Sequence, residues 1–443
     1  MSSPMHASEA VAKQFQSSAR RKRRYAAMDD VHDLGLAGRV IVVVENLCDL
    51  QNLERLQRTC RAFGAELRLV QDDGTRRQDS RCRKSLDLGG YAPSIRVFHT
   101  TTECAKELGA EGARSFATAL DKESVSIYNL RFERDRRLAL WFGQEKHGLS
   151  DAAIAAADER VYIPMAGMVQ SLNVAVSAAV VLAEVARQAR SEAAPIESRV
   201  LSTSAGGDPV PKSASRTEKF WSIAQKRQRG LVVVLEDPDR LDAAAILRGC
   251  DAFGVAEVHF IFESTKFFDP LANRQVMKSE GSNLWVCSRV FYKARDCLQH
   301  LNERGFTPVL LNPDPRQPAE MALQSDLGQE QKLALWLCSP STASTAGELL
   351  SGACSIGLPG AGEAMAVSNF VSVILAEVVR QRSKCPASHW RLTPEEQLSY
   401  VNWCTAVHAK RHPSVQQPQL QESMSPEYQR MGCLRAELAR QGW

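Results

Sequence analysis

Apolar residues along the chain fall into short β-branched runs separated by stretches with helical spacing. Val40–Val44 and Leu231–Leu235 are continuous apolar runs, which predicts strands buried on both faces. After the first run, Leu53, Leu56, Cys60 and Phe63 recur on one face of a helix predicted over about residues 52–63. Further strands are expected at Leu67–Val70, Ile95–Phe98, Leu138–Phe142 and Val161–Ile163, with a helix at Thr102–Leu108. Strands that alternate with helices predict an α/β fold, a parallel sheet with helices on both faces. The longest near-continuous apolar run, Val174–Ala183, falls short of the roughly 20 residues that cross a bilayer, so no membrane helix and no membrane partner are expected.

The pattern occurs twice. Val42–Ala65 has a counterpart in Val232–Val255, and at a spacing of 190 residues (248 − 58) Arg58 meets Arg248, Cys60 meets Cys250 and Gly64 meets Gly254. LALW at Leu138–Trp141 recurs at Leu333–Trp336, and LAEVARQ at Leu182–Gln188 recurs as LAEVVRQ at Leu375–Gln381. Two homologous units account for this, one over residues 36–190 and one over 217–385. Residues 191–216, rich in Ser, Ala, Pro and Gly, have the composition of a linker. Residues 1–35 form a basic arm or targeting segment, and residues 386–443 a C-terminal helical extension.

Composition narrows the class without naming a partner. A length of 443 residues suggests two or three domains of about 150 residues each. With 44% hydrophobic and 24% charged residues, wholesale disorder, a collagen-like repeat and a disulfide miniprotein are excluded. Net charge is 55 − 51 = +4, too small to mark a polyanion partner, so any nucleic-acid contact rests on local patches. One patch is Arg20, Arg21, Lys22, Arg23 and Arg24, which suits an organelle transit peptide, a nuclear signal or an RNA-binding arm. The addresses open to the chain are therefore the cytoplasm, a mitochondrion or plastid, and the nucleus. Another is Arg76, Arg77, Arg81, Arg83 and Lys84, read either as solvated surface or as a phosphate-binding loop. Twelve cysteines without a C-x-x-C pair argue against a zinc ribbon and for reduced, mostly buried thiols. His408 and His412 lie four apart on a predicted helix, but no third ligand accompanies them and no metal is expected.

Three strings carry the densest chemistry: NLERLQR (Asn52–Arg58), FGQEKHGLS (Phe142–Ser150) and IPMAGMVQSLNVAVSAAVVLAEVARQ (Ile163–Gln188). Together they resemble the three motifs of the SpoU/TrmH family of RNA ribose 2′-O-methyltransferases, over nearly the whole first unit. TEKFWSIAQKRQ (Thr217–Gln228) and WRLTPEEQLSYVNWCTAVHAKRHP (Trp390–Pro413) resemble the terminal helices of the family's tRNA-modifying members. The resemblance implies a trefoil-knotted (SPOUT) α/β fold that binds S-adenosylmethionine and acts on RNA. It also implies a cofactor pocket lined by Thr118, Gly143, Ile163 and Leu172, and a catalytic set of Asn52, Arg58, Glu145, Ser171 and Asn173. These residue types suit the reaction, because a ribose hydroxyl must be held in line with a methyl group while its proton is hydrogen-bonded or removed. Amides, a hydroxyl and a carboxylate can position it, and a guanidinium can grip phosphate, although its high pKa makes it a poor base. No general base is assigned. Read singly, Asn52 is also an ordinary helix N-cap and Arg58 a solvated helix charge.

The second unit lacks most of these groups. Asp242 stands at the place of Asn52, LCSP (Leu337–Pro340) at that of FGQE, and Ala364 and Ala366 at those of Ser171 and Asn173. Arg248 alone remains. Family members work as dimers, so the resemblance implies an intramolecular pseudo-dimer, two tandem SPOUT domains that need no second chain, with Arg248 contributed to the first unit's site. The tail and the QEK-G and MVQSLN strings favour tRNA, at a D-loop guanosine, over ribosomal RNA. A ribosomal RNA methyltransferase and a non-catalytic RNA-binding ribosome-assembly factor are the rival readings.

Overall fold

A computed structural model describes residues 36–71, 95–144, 147–190, 215–270, 272–276, 279, 281–313, 320–323, 325–338, 349–350, 353–358 and 365–411. The basic arm, the loop carrying Arg76, Arg77, Arg81, Arg83 and Lys84, Glu145, His412 and nearly all of the linker lie outside the described residues.

The first half comprises β1 (Val40–Glu45), α1 (Leu50–Phe63), β2 (Glu66–Val70), β3 (Ile95–Phe98), α2 (Thr101–Ala110), β4 (Arg114–Thr118) and β5 (Val125–Ser126). It continues through β6 (Leu138–Phe142), α3 (Asp151–Ala156) and β7 (Glu159–Tyr162) to a long helix, α4 (Val174–Arg190). After α5 (Arg216–Ala224) the second half has β8 (Gln228–Glu236), α6 (Arg240–Ala252), β9 (Val255–Ile261), β10 (Cys287–Phe291) and α7 (Ala294–Glu303). Then come β11 (Thr307–Leu311), β12 (Glu320–Met321), β13 (Leu333–Leu337), β14 (Cys354–Gly357) and α8 (Val367–Arg382), followed by α9 (Ala387–Trp390) and α10 (Pro394–Arg411). Each half contains one seven-stranded parallel sheet, ordered β3-β2-β1-β6-β4-β7-β5 and β10-β9-β8-β13-β11-β14-β12. The two orders coincide when each strand is matched to its sequence counterpart, so the repeated sequence has become a repeated fold. No helix among the described residues is long and apolar enough to cross a membrane.

Local chemistry explains several boundaries. Helix α1 starts at Leu50, two residues before the expected Asn52, because the Asp49 side chain accepts from the Gln51 amide and caps it there. It ends at Gly64, whose φ of 71° is open to glycine at little cost and lets its N–H reach the carbonyls of Arg61 and Cys60. Its repeat partner Gly254 has φ 77°, so the same termination holds in the second half. The LAEV-RQ string is a clamp. Glu184 pairs with Arg187 at 2.5 Å while Gln188 accepts from the Phe132 amide and donates to the Leu130 carbonyl. In the second half Glu377 pairs with Arg380 at 2.6 Å, and Gln381 holds Leu327, Gly328 and Ser325 in the same fashion.

One apolar core joins the halves. Helices α4 and α8 contribute Val176, Val180, Leu182, Phe370, Val373 and Leu375 to it. Polar contacts cross as well: Asn369 Nδ2 donates to Thr59 Oγ1 at 2.9 Å and to the Ala175 carbonyl at 3.2 Å. A separate apolar cluster packs α5 against α10 through Phe220, Ile223, Tyr400, Val401 and Cys404, with Met168 of the first half touching it.

At one place the repeat inverts its charge. In the first half buried Arg68 donates to Glu66, Glu107 and Glu111 at 3.3, 3.0 and 2.9 Å. ELRLV in β2 corresponds to EVHFI in β9, and IRVF in β3 to SRVF in β10. The second half therefore centres on a carboxylate, Glu257, which accepts from Arg289, from Arg304 at 3.0 Å and from His259 Nε2 at 2.8 Å. His300 lies beside this group, and Glu257, His259 and His300 have the composition of a metal site. With two guanidinium groups on the carboxylate, the cluster is an ion-pair hub. Burial opposes the charge on Glu257, but His259 and the two arginines outweigh it and hold the carboxyl well below its usual range. Burial and the Arg289 charge push His300 down to about 4, and burial lowers His259 as well.

These shifts give the second half an acid-sensitive stability. Histidines whose folded values lie below the ordinary 6.5 stabilise the fold above that pH, because the unfolded chain takes up their protons first as pH falls. That contribution is lost as pH drops from 6.5 towards about 4, and the depressed Glu257 extends the loss further down. Melting temperature measured across this window should fall steeply for the wild type and less steeply for His300→Gln. Equal slopes would refute the assignment.

Candidate active site

The site is built at the carboxyl ends of the first half's central strands, where an open α/β sheet leaves a crevice. Chain leaving β4, β6 and β7 lines a cavity of about 410 Å³ together with the segment that leads into α4. Thr118, Gly143, Ile163 and Leu172, the four residues expected to hold a cofactor, all border it. Thr118 donates from Oγ1 to the Trp141 carbonyl at 2.8 Å, which fixes the end of β4 against β6. At Gly143 two backbone segments cross so closely that a Cβ would come within 2.0 Å of the Gly148 carbonyl carbon and 2.2 Å of the Leu149 amide. Only glycine fits that crossing without moving the wall of the cavity.

A buried carboxylate braces the far side of this loop. Glu45, at the end of β1, accepts from the Ser150 amide and hydroxyl, each at 2.7 Å, and from the Thr101 hydroxyl. Neither Glu45 nor Ser150 was singled out as a site residue, although Ser150 closes the FGQEKHGLS string.

Beside the cavity, amide, hydroxyl and guanidinium groups converge from both halves. Asn173 Nδ2 donates to Asn52 Oδ1 at 2.8 Å, and Asn173 Oδ1 accepts from the Ala175 amide at 2.9 Å, closing the first turn of α4. Asn52 itself is buried on α1, so its side chain serves this pair and not a helix cap. The Ser171 carbonyl accepts from Arg248 Nε at 3.0 Å and Nη2 at 2.8 Å, and Ser171 Oγ accepts from Nη2 at 3.0 Å. Arg248 belongs to α6, in the second half. No hydrogen bond joins Arg58 to Ser171 or Asn173 among the described residues. Instead, with Arg55, it offsets part of the upward push that burial gives the Asp242 carboxyl, at the place of Asn52 in the other half. In the second half Ala366 precedes α8 without a side-chain cap, where Asn173 caps α4.

Sequence reasoning missed Asp251. Its carboxylate accepts from the amides of Met168 and Val169 at 3.0 and 2.9 Å, within the segment that leads to Ser171. The signal was present in the aligned repeat, where RTCRAFG in the first half becomes RGCDAFG in the second and Arg61 gives way to Asp251.

A glycine-crossed cavity at the strand ends, with polar groups converging on its rim, defines a small-molecule-binding α/β domain. Residues 39–183 match the SpoU rRNA Methylase family. A tRNA (guanosine(18)-2′-O)-methyltransferase of Thermus thermophilus is 36% identical over 148 residues, 33% of this chain and 74% of that protein. A 23S rRNA (guanosine-2′-O-)-methyltransferase of Acinetobacter baylyi is 31% identical over 153 residues, 34% of this chain and 60% of that one. The crystal structure of an A. aeolicus TrmH/SpoU tRNA modifying enzyme is 29% identical and covers 35% of this chain and 79% of its own, with a TM-score of 0.29. The chain belongs to the SpoU methylase family of RNA methyltransferases.

Asn173 therefore carries a double structural duty. Asn173→Ala should lower stability by about 1–3 kcal/mol, the sum of a lost cap and a lost hydrogen bond to Asn52 Oδ1. Asn173→Asp, which keeps an oxygen for the Ala175 amide, should recover part of it. Urea unfolding of the two variants measures the difference, and an alanine variant as stable as wild type would contradict the geometry.

Proposed function

We propose that the chain transfers a methyl group from S-adenosylmethionine to a ribose 2′-hydroxyl of structured RNA, with tRNA guanosine 18 as its target. The observation that carries this reading is that Ser171, which lines the cavity, is held by Arg248 of the second half, next to Leu172 of the cavity wall and the Asn52–Asn173 pair that follows it. The cavity fits the cofactor: its volume falls within the roughly 300–1,000 Å³ typical of small-molecule sites, and its walls are mostly apolar with a few polar side chains, among them Asp121, Gln170 and Ser171. When bound there, S-adenosylmethionine supplies an activated methyl on its sulfonium. Thr118, Gly143, Ile163 and Leu172 hold the cofactor, Gly143 by allowing the backbone crossing that shapes the wall.

The chain's own side chains then position the acceptor. Ser171 Oγ and the Asn52–Asn173 amide pair offer hydrogen bonds to a ribose, which holds its 2′ oxygen in line with the methyl. Arg248 stays charged and grips an RNA phosphate next to that sugar while its Nε and Nη2 keep Ser171 in place. In this reading Arg248, not Arg58, is the catalytic guanidinium. Residues 36–190 form the catalytic unit and residues 217–385 stand where a second subunit would. The identical strand orders and the packing of α4 on α8 support a pseudo-dimer of two knotted domains. The tRNA preference is supported by the Thermus relative and by the α5–α10 pair, which matches the expected terminal helices.

Transfer of radiolabelled methyl from S-adenosylmethionine to total tRNA and, separately, to ribosomal RNA tests the reading. Label should enter tRNA. Arg248→Ala should lose about 30- to 4,000-fold in rate, the equivalent of about 2–5 kcal/mol for a truncated charge contact, and Arg58→Ala far less. Label confined to ribosomal RNA would overturn the target, and no label on either RNA would overturn the activity. Light scattering should return one chain, 48.9 kDa, and a stable dimer would contradict the pseudo-dimer.

A further inference from the structure

Four attachments fasten the segment Ala166–Ser171 of the first half to the last turn of α6 in the second. The Ala166 amide donates to the Ala252 carbonyl at 2.7 Å, the Met168 and Val169 amides to Asp251 Oδ2, and Ser171 accepts from Arg248. The approach is so close that a Cβ on Gly167 would fall 2.0 Å from the Asp251 carbonyl oxygen. Leu172, a wall of the cavity, and Asn173 follow at once.

Asp251 is the unexpected member. It is fully buried, and it sits at the C-terminal end of a helix, where the dipole disfavours an anion. Its partner is Arg227, also fully buried, whose Nη2 donates to Asp251 Oδ1 and whose Nε and Nη2 donate to the Tyr400 hydroxyl at 3.0 and 2.7 Å. Tyr400 lies on α10, and its hydroxyl donates onward to the Trp285 carbonyl at 3.0 Å. The first half has no such group at the equivalent place, where Arg61 is exposed.

We infer that Asp251 is a positioning residue for the cofactor site: backed by Arg227 and Tyr400, its carboxylate holds the Met168 and Val169 amides and so sets the segment that presents Ser171, Leu172 and Asn173. This rests on the proposed methyltransferase reading. The second half then supplies two things to the first half's site, a guanidinium at its rim and a carboxylate behind its wall. The C-terminal helix takes part through a single hydroxyl.

The test replaces the ion pair as a unit, by Arg227→Met with Asp251→Leu in the full-length chain. A buried pair exchanged for apolar residues of similar volume leaves no uncompensated charge, so the fold should survive, with a lower melting temperature because the Met168 and Val169 amides and the Val255 and Trp285 carbonyls lose a partner. Hydrogen exchange at the Met168 and Val169 amides should accelerate, and the Kd for S-adenosylmethionine measured by calorimetry should rise, each by about tenfold or more, as expected for losing charge-assisted bonds. A double variant that exchanges and binds as wild type does overturns the positioning role. Should the double variant unfold, Gly167→Ala, whose Cβ would fall 2.0 Å from the Asp251 carbonyl oxygen and 2.7 Å from its carboxyl carbon and so push the segment off Asp251, must weaken binding by a similar factor, and unchanged binding there overturns it too. Failure of the wild-type protein to bind S-adenosylmethionine would overturn the functional reading itself, whatever the exchange rates show.

Discussion

Helix α4 is buried on almost every side: Val174, Ala175, Val176, Ala178 and every residue from Ala179 to Ala186 are buried. A helix apolar all round needs cover all round. The first half's sheet supplies one side and α1 another, but the rest comes from α8 of the second half, which is buried just as deeply. Much else depends on this mutual cover. Asn173 can both cap α4 and bond Asn52 only because α4 is held behind it, and Arg248 can reach Ser171 only because the two halves are docked in one orientation.

Duplication lets each half give up what the other retains. In the first half the strand ends keep a cavity with Ser171 and Asn173 beside it, while in the second Ala366 stands where Asn173 does and the helix goes uncapped. The second half has meanwhile gained Asp251 and Arg227, which act on the first half's segment and have no counterpart there. A symmetric pair of subunits could not divide the work this way, because one sequence would have to serve both places. The loss of chemistry in one copy and the gain of buried support in the same copy are two sides of a single asymmetry.

Much of this was legible in the sequence. The continuous apolar runs became the central strands β1, β6 and β8, because strands buried on both faces need no alternation to be recognised. The 190-residue offset located Arg248, and the loops with Gly143 and Leu172 came together as expected. Strand β4, RSFAT, escaped notice because it holds only a short apolar stretch, and the two-residue β5 has no signal at all. That Arg248 and not Arg58 meets Ser171 could not be read from a motif, since both arginines occupy the same place in their copies and only the docking distinguishes them. The ion-pair hubs were hidden for a similar reason: their members are spread over two strands and a helix, and each looks like a surface charge until the strands pair.

The inverted hubs bear on how such a chain finds its fold. Two copies with the same strand order offer many chances for a segment of one to enter the sheet of the other, as happens in exchanged repeats. Were β9 to take the place of β2, Glu257 would stand for Glu66 and His259 for Arg68, and Glu107 and Glu111 would keep Arg96 and Arg137 but lose the buried guanidinium between them. The reverse exchange would set Glu66 in the place of Glu257 and add the charge of Arg68, in the place of His259, to those of Arg289 and Arg304. A single buried charge, Arg68 against His259, thus separates two strands that are otherwise alike enough in shape to build the same sheet twice.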